Sequence, residues 1–143
     1  MQTVRELLGN KAPEIHAVTP QAAVIDAIRL MAEKGIGAVL VMEGARLAGI
    51  LSERDYARKI VLRDRSSRDT PVAEIMTAEV VTVAPSATVE HCLQLVTERR
   101  IRHLPVVEEG GVVGVISIGD LVKAVIEEQR QELGQLQQYI TGG

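Results

Sequence analysis

The feature that most constrains the fold of this chain is an internal repeat. Residues 14–20, EIHAVTP, recur as residues 79–85, EVVTVAP, so the second copy begins 65 residues after the first. A register that holds without a gap over many positions is typical of a chain built from two copies of one structural plan. The register matches Val24 with Val89, Leu30 with Leu95, Glu33 with Glu98, Ile36 with Ile101, Val41 with Val106, Gly49 with Gly114, Ser52 with Ser117 and Asp55 with Asp120.

A shorter lead-in precedes each copy. Residues 4–8, VRELL, resemble residues 72–76, VAEIM, at an offset of 68. The repeat therefore predicts a first copy over residues 1–62, a linker over residues 63–71, and a second copy with a helical tail over residues 72–143. Because each half alone makes a poor core, we expect the two copies to pack face to face about a pseudo-twofold axis.

The two copies share one predicted order of elements: strand, helix, strand, strand, helix. In the first copy, a β-prone run over residues 15–18 is followed by apolar residues at helical spacing up to Gly35. Residues 39–51 predict a hairpin, and Ser52 begins a second helix that ends near residue 62. The second copy repeats these steps, and its last helix runs past Glu127. The sequence thus predicts an α+β fold.

The first helix of each copy carries an apolar stripe that we expect to face the core. Cys92 stands where the first copy has Ala27, so we interpret it as a core thiol rather than a nucleophile. The predicted stripe residues are Val24, Ile28 and Met31 in the first copy and Val89, Leu93 and Val96 in the second.

Composition and charge exclude several classes of function. The formal net charge is −3 at pH 7, and Tyr56 and Tyr139 are the only aromatic residues, so the chain lacks the basic field and the stacking platforms of nucleic-acid-binding proteins. No uncharged run approaches the length of a membrane span, about 20 residues, and no signal-peptide core is present. The single cysteine, Cys92, excludes internal disulfides. We therefore expect a cytoplasmic protein without nucleic-acid or membrane partners.

Both copies carry the same small and polar residues where the hairpin meets a helix. Residues 49–55 read GILSERD and residues 114–120 read GVISIGD. In one interpretation, serine and aspartate form a capping box that satisfies amides of the first helical turn. In the other, free N–H groups at the positive helix end hold a phosphate, the aspartate accepts both ribose hydroxyls, and the glycine lets the ligand approach. The residues alone leave both interpretations open.

Nothing in the sequence predicts catalysis. No nucleophile is flanked by a histidine and a carboxylate, no cluster has metal-ligand spacing, and neither a Walker A motif nor Gly-x-Gly-x-x-Gly is present. We therefore expect a protein that is not an enzyme and holds no metal.

These segments resemble the cystathionine-β-synthase (CBS) domains, which occur as tandem pairs. The resemblance covers nearly the whole chain and includes the Val-x-Pro that ends at Pro20 and Pro85, and the IRHLPVV of residues 101–107. The segments LSERDYAR (residues 51–58) and ISIGDLV (residues 116–122) are similar to those of the stand-alone CBS pairs of bacteria and plant organelles.

The resemblance implies a regulatory sensor of adenine nucleotides. Pairs of this family bind AMP, ADP, ATP, sometimes NAD(H) or S-adenosylmethionine, in clefts between the two repeats. Binding would favour one arrangement of the repeats and so change the surface that a partner protein meets. The alternative is a docking module with vestigial nucleotide sites, whose helices bind a partner directly.

The resemblance also assigns candidate ligand-binding residues. Asp55 and Asp120 would hold ribose hydroxyls, and Ser52 and Ser117 would hold phosphate or neighbouring backbone. The remaining candidates are Arg102 and His103 for phosphate, their first-copy counterparts Gly37 and Ala38, and Ile36, Ile101, Val18 and Val83 for the apolar walls and backbone donors around adenine.

The two sites cannot be chemically equal. Arg102 and His103 give the second copy a fixed and a titratable positive charge, whereas the first copy has only Arg54 beside its junction. We expect AMP in the second copy, while the first takes a longer ligand such as NAD or stays empty. Arg54 and Arg58 alternatively form a solvated face, and His103 alternatively is a hydrogen-bonded, half-buried histidine.

We further expect a homodimer, because the predicted helices carry more apolar surface than one core uses. The surplus residues are Ala23, Ala27, Leu30, Leu95 and residues 60–62, with Leu133, Leu136 and Ile140 in the tail.

Overall fold

The computed structural model describes residues 2–9 and 14–140 and contains helices and two small sheets, which confirms the α+β class. A three-stranded sheet has the order β1-β2-β3, and a two-stranded sheet is β4-β5. The elements are α1 (Val4–Gly9), β1 (Ala17–Val18), α2 (Val24–Lys34), β2 (Ala38–Glu43), β3 (Arg46–Ser52), α3 (Glu53–Tyr56) with a π-helical turn (Ala57–Val61), a 3-10 turn (Val72–Glu74), α4 (Val89–Arg99), β4 (His103–Glu108), β5 (Gly111–Ser117) and α5 (Ile118–Ile140).

These elements form two compact units. The first unit contains residues 14–81 and 108–113, and the second contains residues 2–9, 82–107 and 114–140 of the described chain. The first unit therefore contains the lead-in of the second copy, residues 72–76. The second unit contains the lead-in of the first copy, residues 4–8.

Backbone hydrogen bonds attach each lead-in to the start of a helix in its unit. In the first unit, the amides of Val72 and Ala73 donate to the carbonyls of Ala22 and Pro20, at 2.8 and 2.9 Å. The second unit repeats this arrangement, because Val4 donates to Ala87 at 2.9 Å and Arg5 donates to Pro85 at 2.9 Å. The two lead-ins, which are offset by 68 residues, therefore repeat each other in structure as well as in sequence.

The helices α2 and α4 end at equivalent positions in the left-handed conformation. Gly35 ends α2 at φ 65°, as the sequence predicted, and its N–H donates to Met31. Arg100 ends α4 at φ 54° in the same way, with its N–H on Val96. A residue with a Cβ pays about 1 kcal/mol for this conformation, whereas glycine does not.

The second copy lacks the first strand that its sequence predicted. In the first unit β1 pairs parallel with β2, and the amide of Leu40 donates to His16 at 3.0 Å. Pro105 takes the place of Leu40 and has no N–H, so this bond cannot form. Residues 81–83 consequently contribute a single bridge, Val83 to Val106.

The core stripe on each first helix differs from the prediction by one position. Ala27 and Cys92 are fully buried, whereas Ile28 and Leu93 are only partly buried. The step of three and then four residues keeps the stripe on one side of the helix, so the buried set is Val24, Ala27 and Met31, or Val89, Cys92 and Val96. Cys92 is confirmed as a core residue, and Ala27 does not belong to the surplus surface.

The helix after Ser52 is not regular to residue 62. It is α-helical for one turn, Glu53–Tyr56, and then widens into the π-helical turn Ala57–Val61, where the amide of Leu62 donates to Ala57 at 3.0 Å. Ile60, in this wider turn, is 2% exposed and belongs to the core.

The repeated hairpin glycines are packed against the lead-ins rather than open to a ligand. A Cβ on Gly49 would lie 2.6 Å from Met76 Sδ and 2.9 Å from the Thr77 carbonyl oxygen. A Cβ on Gly114 would lie 2.6 Å from Leu8 Cδ2. The expectation that these glycines admit a ligand is therefore wrong, because side chains of the lead-ins fill the space.

We expect Gly49→Ala to destabilise the protein by about 1–3 kcal/mol and Gly114→Ala by less. The backbone oxygen beside Gly49 cannot move aside, whereas the Leu8 side chain next to Gly114 has other rotamers. Urea unfolding of both variants measures the difference. A second substitution, Leu8→Ala, should restore stability to the Gly114→Ala variant but not to the Gly49→Ala variant. Equal losses of stability in the two glycine variants would contradict this packing.

We expect the Cys92 thiol to react slowly with iodoacetamide in the native protein and rapidly in urea. Burial raises the pKa of this thiol. The unfolded chain therefore releases the proton at lower pH, and the contribution of this group to stability falls as pH rises through the pKa of the unfolded thiol. A His91→Cys variant supplies an exposed thiol as control. Equal native reactivity of the two thiols would show that Cys92 is accessible.

Candidate functional site

The repeated serine and aspartate lie at two equivalent strand–helix junctions, one in each unit. At the first junction, Ser52 Oγ accepts from the Asp55 amide at 3.1 Å. The Oδ2 atom of Asp55 in turn accepts from the Ser52 amide and hydroxyl, both at 3.0 Å. At the second junction, Ser117 Oγ accepts from the Asp120 amide at 3.2 Å, and Asp120 Oδ2 accepts from the Ser117 amide at 2.8 Å. Both junctions thus form the capping box.

Two backbone amides in the first helical turn after each serine have hydrogen-bond partners within the protein. Glu53 N–H donates to the Gly37 carbonyl at 3.0 Å, and at the equivalent place Ile118 N–H donates to the Arg102 carbonyl at 2.8 Å. Together with the capping bonds, these contacts occupy the first and third amides of each turn. These two amides of each first turn are therefore not free to hold a phosphate, in contrast to the expectation from the sequence.

Lys59 distinguishes the first junction from the second. Its Nζ lies 3.2 Å from Asp55 Oδ1 and donates to the Ile75 carbonyl at 2.9 Å. The Asp55 side chain is 16% exposed, and both of its oxygens have a partner, Oδ1 in Lys59 and Oδ2 in Ser52. At the equivalent of Lys59 the second copy has Ala124. The sequence analysis missed Lys59, although aspartate and lysine four residues apart on a helix signal such a pair.

Asp120 lies at a cavity of about 540 Å³ in the second unit. Its lining combines apolar side chains with one cation, Lys123, two carboxylates and two side-chain amides. Gln2 also lines this cavity, and its side-chain oxygen is buried with no hydrogen-bond partner among the described residues. The lining residues are Gln2, Leu7, Leu8, Ile116, Asp120, Lys123, Ala124, Glu127 and Gln131. The sequence analysis predicted only Asp120 in this set, because the lining comes from α1 and from later turns of α5.

The other candidate residues divide between the two units. Ile36, Gly37, Ala38, Arg54 and Val18 lie in the first unit with Ser52 and Asp55, and Ala38 pairs with Ser52 across the hairpin.

In the second unit, Ile101, Arg102, His103 and Val83 accompany Ser117 and Asp120. Arg102 is exposed and His103 is half-buried. The Val83 amide donates to Pro105 at 3.1 Å and its carbonyl accepts from Val107 at 2.9 Å. Val83 is thus unsuited as a backbone donor to adenine, since its N–H is already used.

The described residues contain neither a cluster of metal ligands nor a membrane-spanning helix. Within residues 2–9 and 14–140, no group of three or more histidine, cysteine, aspartate or glutamate side chains is placed to hold a metal ion. Over the same part of the chain, no helix combines the length and apolar character needed to cross a membrane.

Comparison with known proteins finds similarity along most of the chain. The family described as "CBS domain" matches residues 4–62 and 72–127. A mitochondrial CBS domain-containing protein of Arabidopsis thaliana is 46% identical over 130 residues, which are 87% of this chain and 63% of that protein. The chain therefore spans less than two thirds of the length of this plant relative.

Solved structures show the same architecture. A protein from Burkholderia ambifaria, described as a signal-transduction protein with CBS domains, is 55% identical, with a TM-score of 0.87, covering 90% of this chain and 96% of that one. A CBS domain pair in complex with 5′-methylthioadenosine and S-adenosyl-L-methionine has a TM-score of 0.77 over 90% of this chain and 98% of that chain. The latter is 22% identical, so the likeness is one of fold.

We expect Lys59→Met to destabilise the protein by about 1 kcal/mol. Methionine keeps the length of the side chain but removes the donor to Ile75 and the cation beside Asp55. Urea unfolding measures the change, and Lys123→Met in the second unit serves as a matched control that should stay within about 0.5 kcal/mol of the wild type. If both lysine variants lost the same stability, the Lys59 contacts would have no special role.

Proposed function

Because the chain belongs to the CBS domain family and carries two of these domains in tandem, we propose that it is a regulatory module that binds an adenine nucleotide. In this proposal, AMP, ADP, ATP or NAD is the ligand, and binding changes the interaction of the chain with a partner protein.

The observation that carries the proposal is the cavity beside Asp120. Its volume of about 540 Å³ falls in the range of about 300–1,000 Å³ of small-molecule sites. The apolar lining residues Leu7, Leu8 and Ile116 suit a purine ring, the Asp120 carboxylate suits ribose hydroxyls, and Lys123 suits a phosphate. Arg102, whose carbonyl accepts from the Ile118 amide at this junction, and its neighbour His103 would add positive charge.

The first junction is proposed as the weaker site. A ligand hydroxyl that binds Asp55 has to compete with the Lys59 ammonium at 3.2 Å. Gly37 and Ala38 offer room rather than charge, and Arg54 would be the nearby cation for a phosphate. A longer ligand such as NAD, which gains contacts elsewhere, would overcome this competition, and otherwise the junction stays empty.

The mechanism would be a shift of population. A nucleotide favours the conformation to which it binds more tightly. It can shift the equilibrium between two conformations by at most the difference between its binding free energies for them. The CBS pair of the same fold that was solved with two adenosine compounds shows what such a fold can hold.

The cytoplasmic location expected from the sequence remains a prediction, and the Arabidopsis relative is named as mitochondrial.

We also propose that the chain forms a homodimer. Large apolar side chains on α5 are exposed, among them Val122, Ile126 and Leu133. The same exposed surface favours the second candidate function, a docking module that binds a partner without any nucleotide.

A thermal-shift panel of AMP, ADP, ATP, NAD and S-adenosylmethionine separates the two functions. A ligand at 100 times its dissociation constant stabilises the native state by about 2.7 kcal/mol, so the sensor should show a clear rise in Tm. A flat response to the whole panel would refute the sensor and leave the docking module.

Calorimetry on substituted proteins locates the site. Asp120→Ala should weaken AMP binding more than Asp55→Ala does. Each variant removes one capping carboxylate, and Asp55→Ala also removes the ion pair with Lys59. The loss in Arg102→Ala should grow from AMP to ATP, since a charge-assisted hydrogen bond is worth about 1.5–3 kcal/mol. Equal losses for both aspartate variants, or no effect at Arg102, would contradict this assignment.

A further inference from the structure

The N-terminal segment, residues 2–9, supplies part of the lining of the Asp120 cavity. Gln2, Leu7 and Leu8 line the cavity from this segment, and the other lining residues come from the end of β5 and from α5. Two of the apolar side chains that suit a purine ring are thus joined to a carboxamide by one short stretch of chain.

Hydrogen bonds fix the backbone of Gln2. Its carbonyl accepts from the Val89 amide at 3.0 Å, and the next residue, Thr3, forms a bridge with Thr88. The side chain of Gln2 can still rotate about its own bonds. The place of this carboxamide beside the cavity is therefore set by the fold, and its direction is free to respond to what the cavity contains.

The carboxamide of Gln2 lacks a partner that its burial calls for. The Oε1 atom is buried and has no hydrogen-bond partner among the described residues. A buried polar atom without a partner is unfavourable, and native proteins contain few of them. Rotation of the side chain turns the carboxamide toward the cavity, where its oxygen can accept and its nitrogen can donate. A group that enters the cavity would supply the missing partner.

The first unit has no carboxamide at the equivalent position. The offset of 68 residues between the lead-ins matches Gln2 with Thr70. The Thr70 carbonyl accepts from the Val24 amide at 2.9 Å, as the Gln2 carbonyl does from Val89. The short threonine side chain carries a single hydroxyl and cannot present a donor and an acceptor side by side. A carboxamide contact with a ligand therefore belongs to the second unit.

Adenine is the part of the proposed ligand that matches a carboxamide. Glutamine pairs with adenine through two hydrogen bonds, because its oxygen accepts from the exocyclic amine and its nitrogen donates to a neighbouring ring nitrogen. The ribose hydroxyls and a phosphate are matched by Asp120 and Lys123 on α5. We propose that Gln2 recognises the base in the Asp120 cavity by binding the exocyclic amine of adenine. This proposal deepens the proposed nucleotide function and rests on it.

Calorimetry with two nucleotides that differ only in this amine tests the proposal. Purine riboside 5′-monophosphate is AMP with a hydrogen in place of the exocyclic amine. The wild type should bind AMP about 5- to 10-fold more tightly than the purine analogue, since one hydrogen bond is at stake. In Gln2→Met, which removes the carboxamide and keeps the length of the side chain, the two nucleotides should bind equally. Gln94→Met, at an exposed glutamine of the same unit outside the cavity lining, should keep the wild-type preference.

The stability of the ligand-free protein separates recognition from a structural role. Gln2→Met removes a buried oxygen that has no partner, so its Tm without nucleotide should equal or exceed that of the wild type. A Tm that falls by more than about 3 °C would show that the fold itself needs the carboxamide, and it would overturn the proposal.

Hydrogen exchange on the wild type does not depend on any variant. Because the bound base would be tied to Gln2, saturating AMP should slow exchange at the Val4 and Arg5 amides, which attach the N-terminal segment. The equivalent amides of the first unit, Val72 and Ala73, should change less. Unchanged exchange at Val4 and Arg5 in the presence of AMP would overturn the proposal.

Failure of this proposal differs from failure of the nucleotide function. If AMP binds and the preference for AMP is the same in the wild type and in Gln2→Met, Gln2 does not recognise the base, while nucleotide binding stands. If neither AMP nor the purine analogue binds to the wild type, both proposals are refuted.

Discussion

The amides of residues 72–73 and 4–5 bond to the carbonyls that precede α2 and α4, and the arrangement of both units depends on these contacts. Each lead-in adds a side chain, Met76 or Leu8, that fills the space over a hairpin glycine. A single copy of the repeat therefore lacks part of its own unit. The first unit takes residues 72–76 from between the two copies, and the second unit takes residues 2–9, which precede the first copy. Because Val4 and Ala87 are distant in the chain, the second unit can close only after a long loop has been ordered, which slows folding.

One carboxylate at each junction has both a structural and a candidate binding role. The Oδ2 atoms of Asp55 and Asp120 cap their helices, so each oxygen is fixed in position before any ligand arrives. Such fixing lowers the entropy cost of binding, since the acceptor is already oriented. The pairing of Asp55 with Lys59 adds to the inequality of the two junctions, because the second copy has Ala124 at the position equivalent to Lys59.

The sequence was sufficient to predict the repeat and the order of elements in the first copy, and it offered the capping box as one of two interpretations, because each depends on local spacing or local turn chemistry. Three features depended on residues far apart in the chain and were not predicted. The lead-ins occupy the other copy's unit, side chains rather than a ligand lie over Gly49 and Gly114, and the Asp120 cavity is lined by α1. The π-helical turn at Ala57–Val61 was missed because apolar periodicity does not distinguish one extra residue per turn from a regular helix.

The proline in β4 also affects how the second unit meets other chains. A strand edge with free N–H and C=O groups is a template on which another strand can add, and this is a common route to aggregation. Pro105 removes one donor from the edge of β4 that faces away from β5, and the Val83 bridge covers the position beside it. The proline that shortens the sheet thus leaves this edge with one donor fewer for an added strand to use.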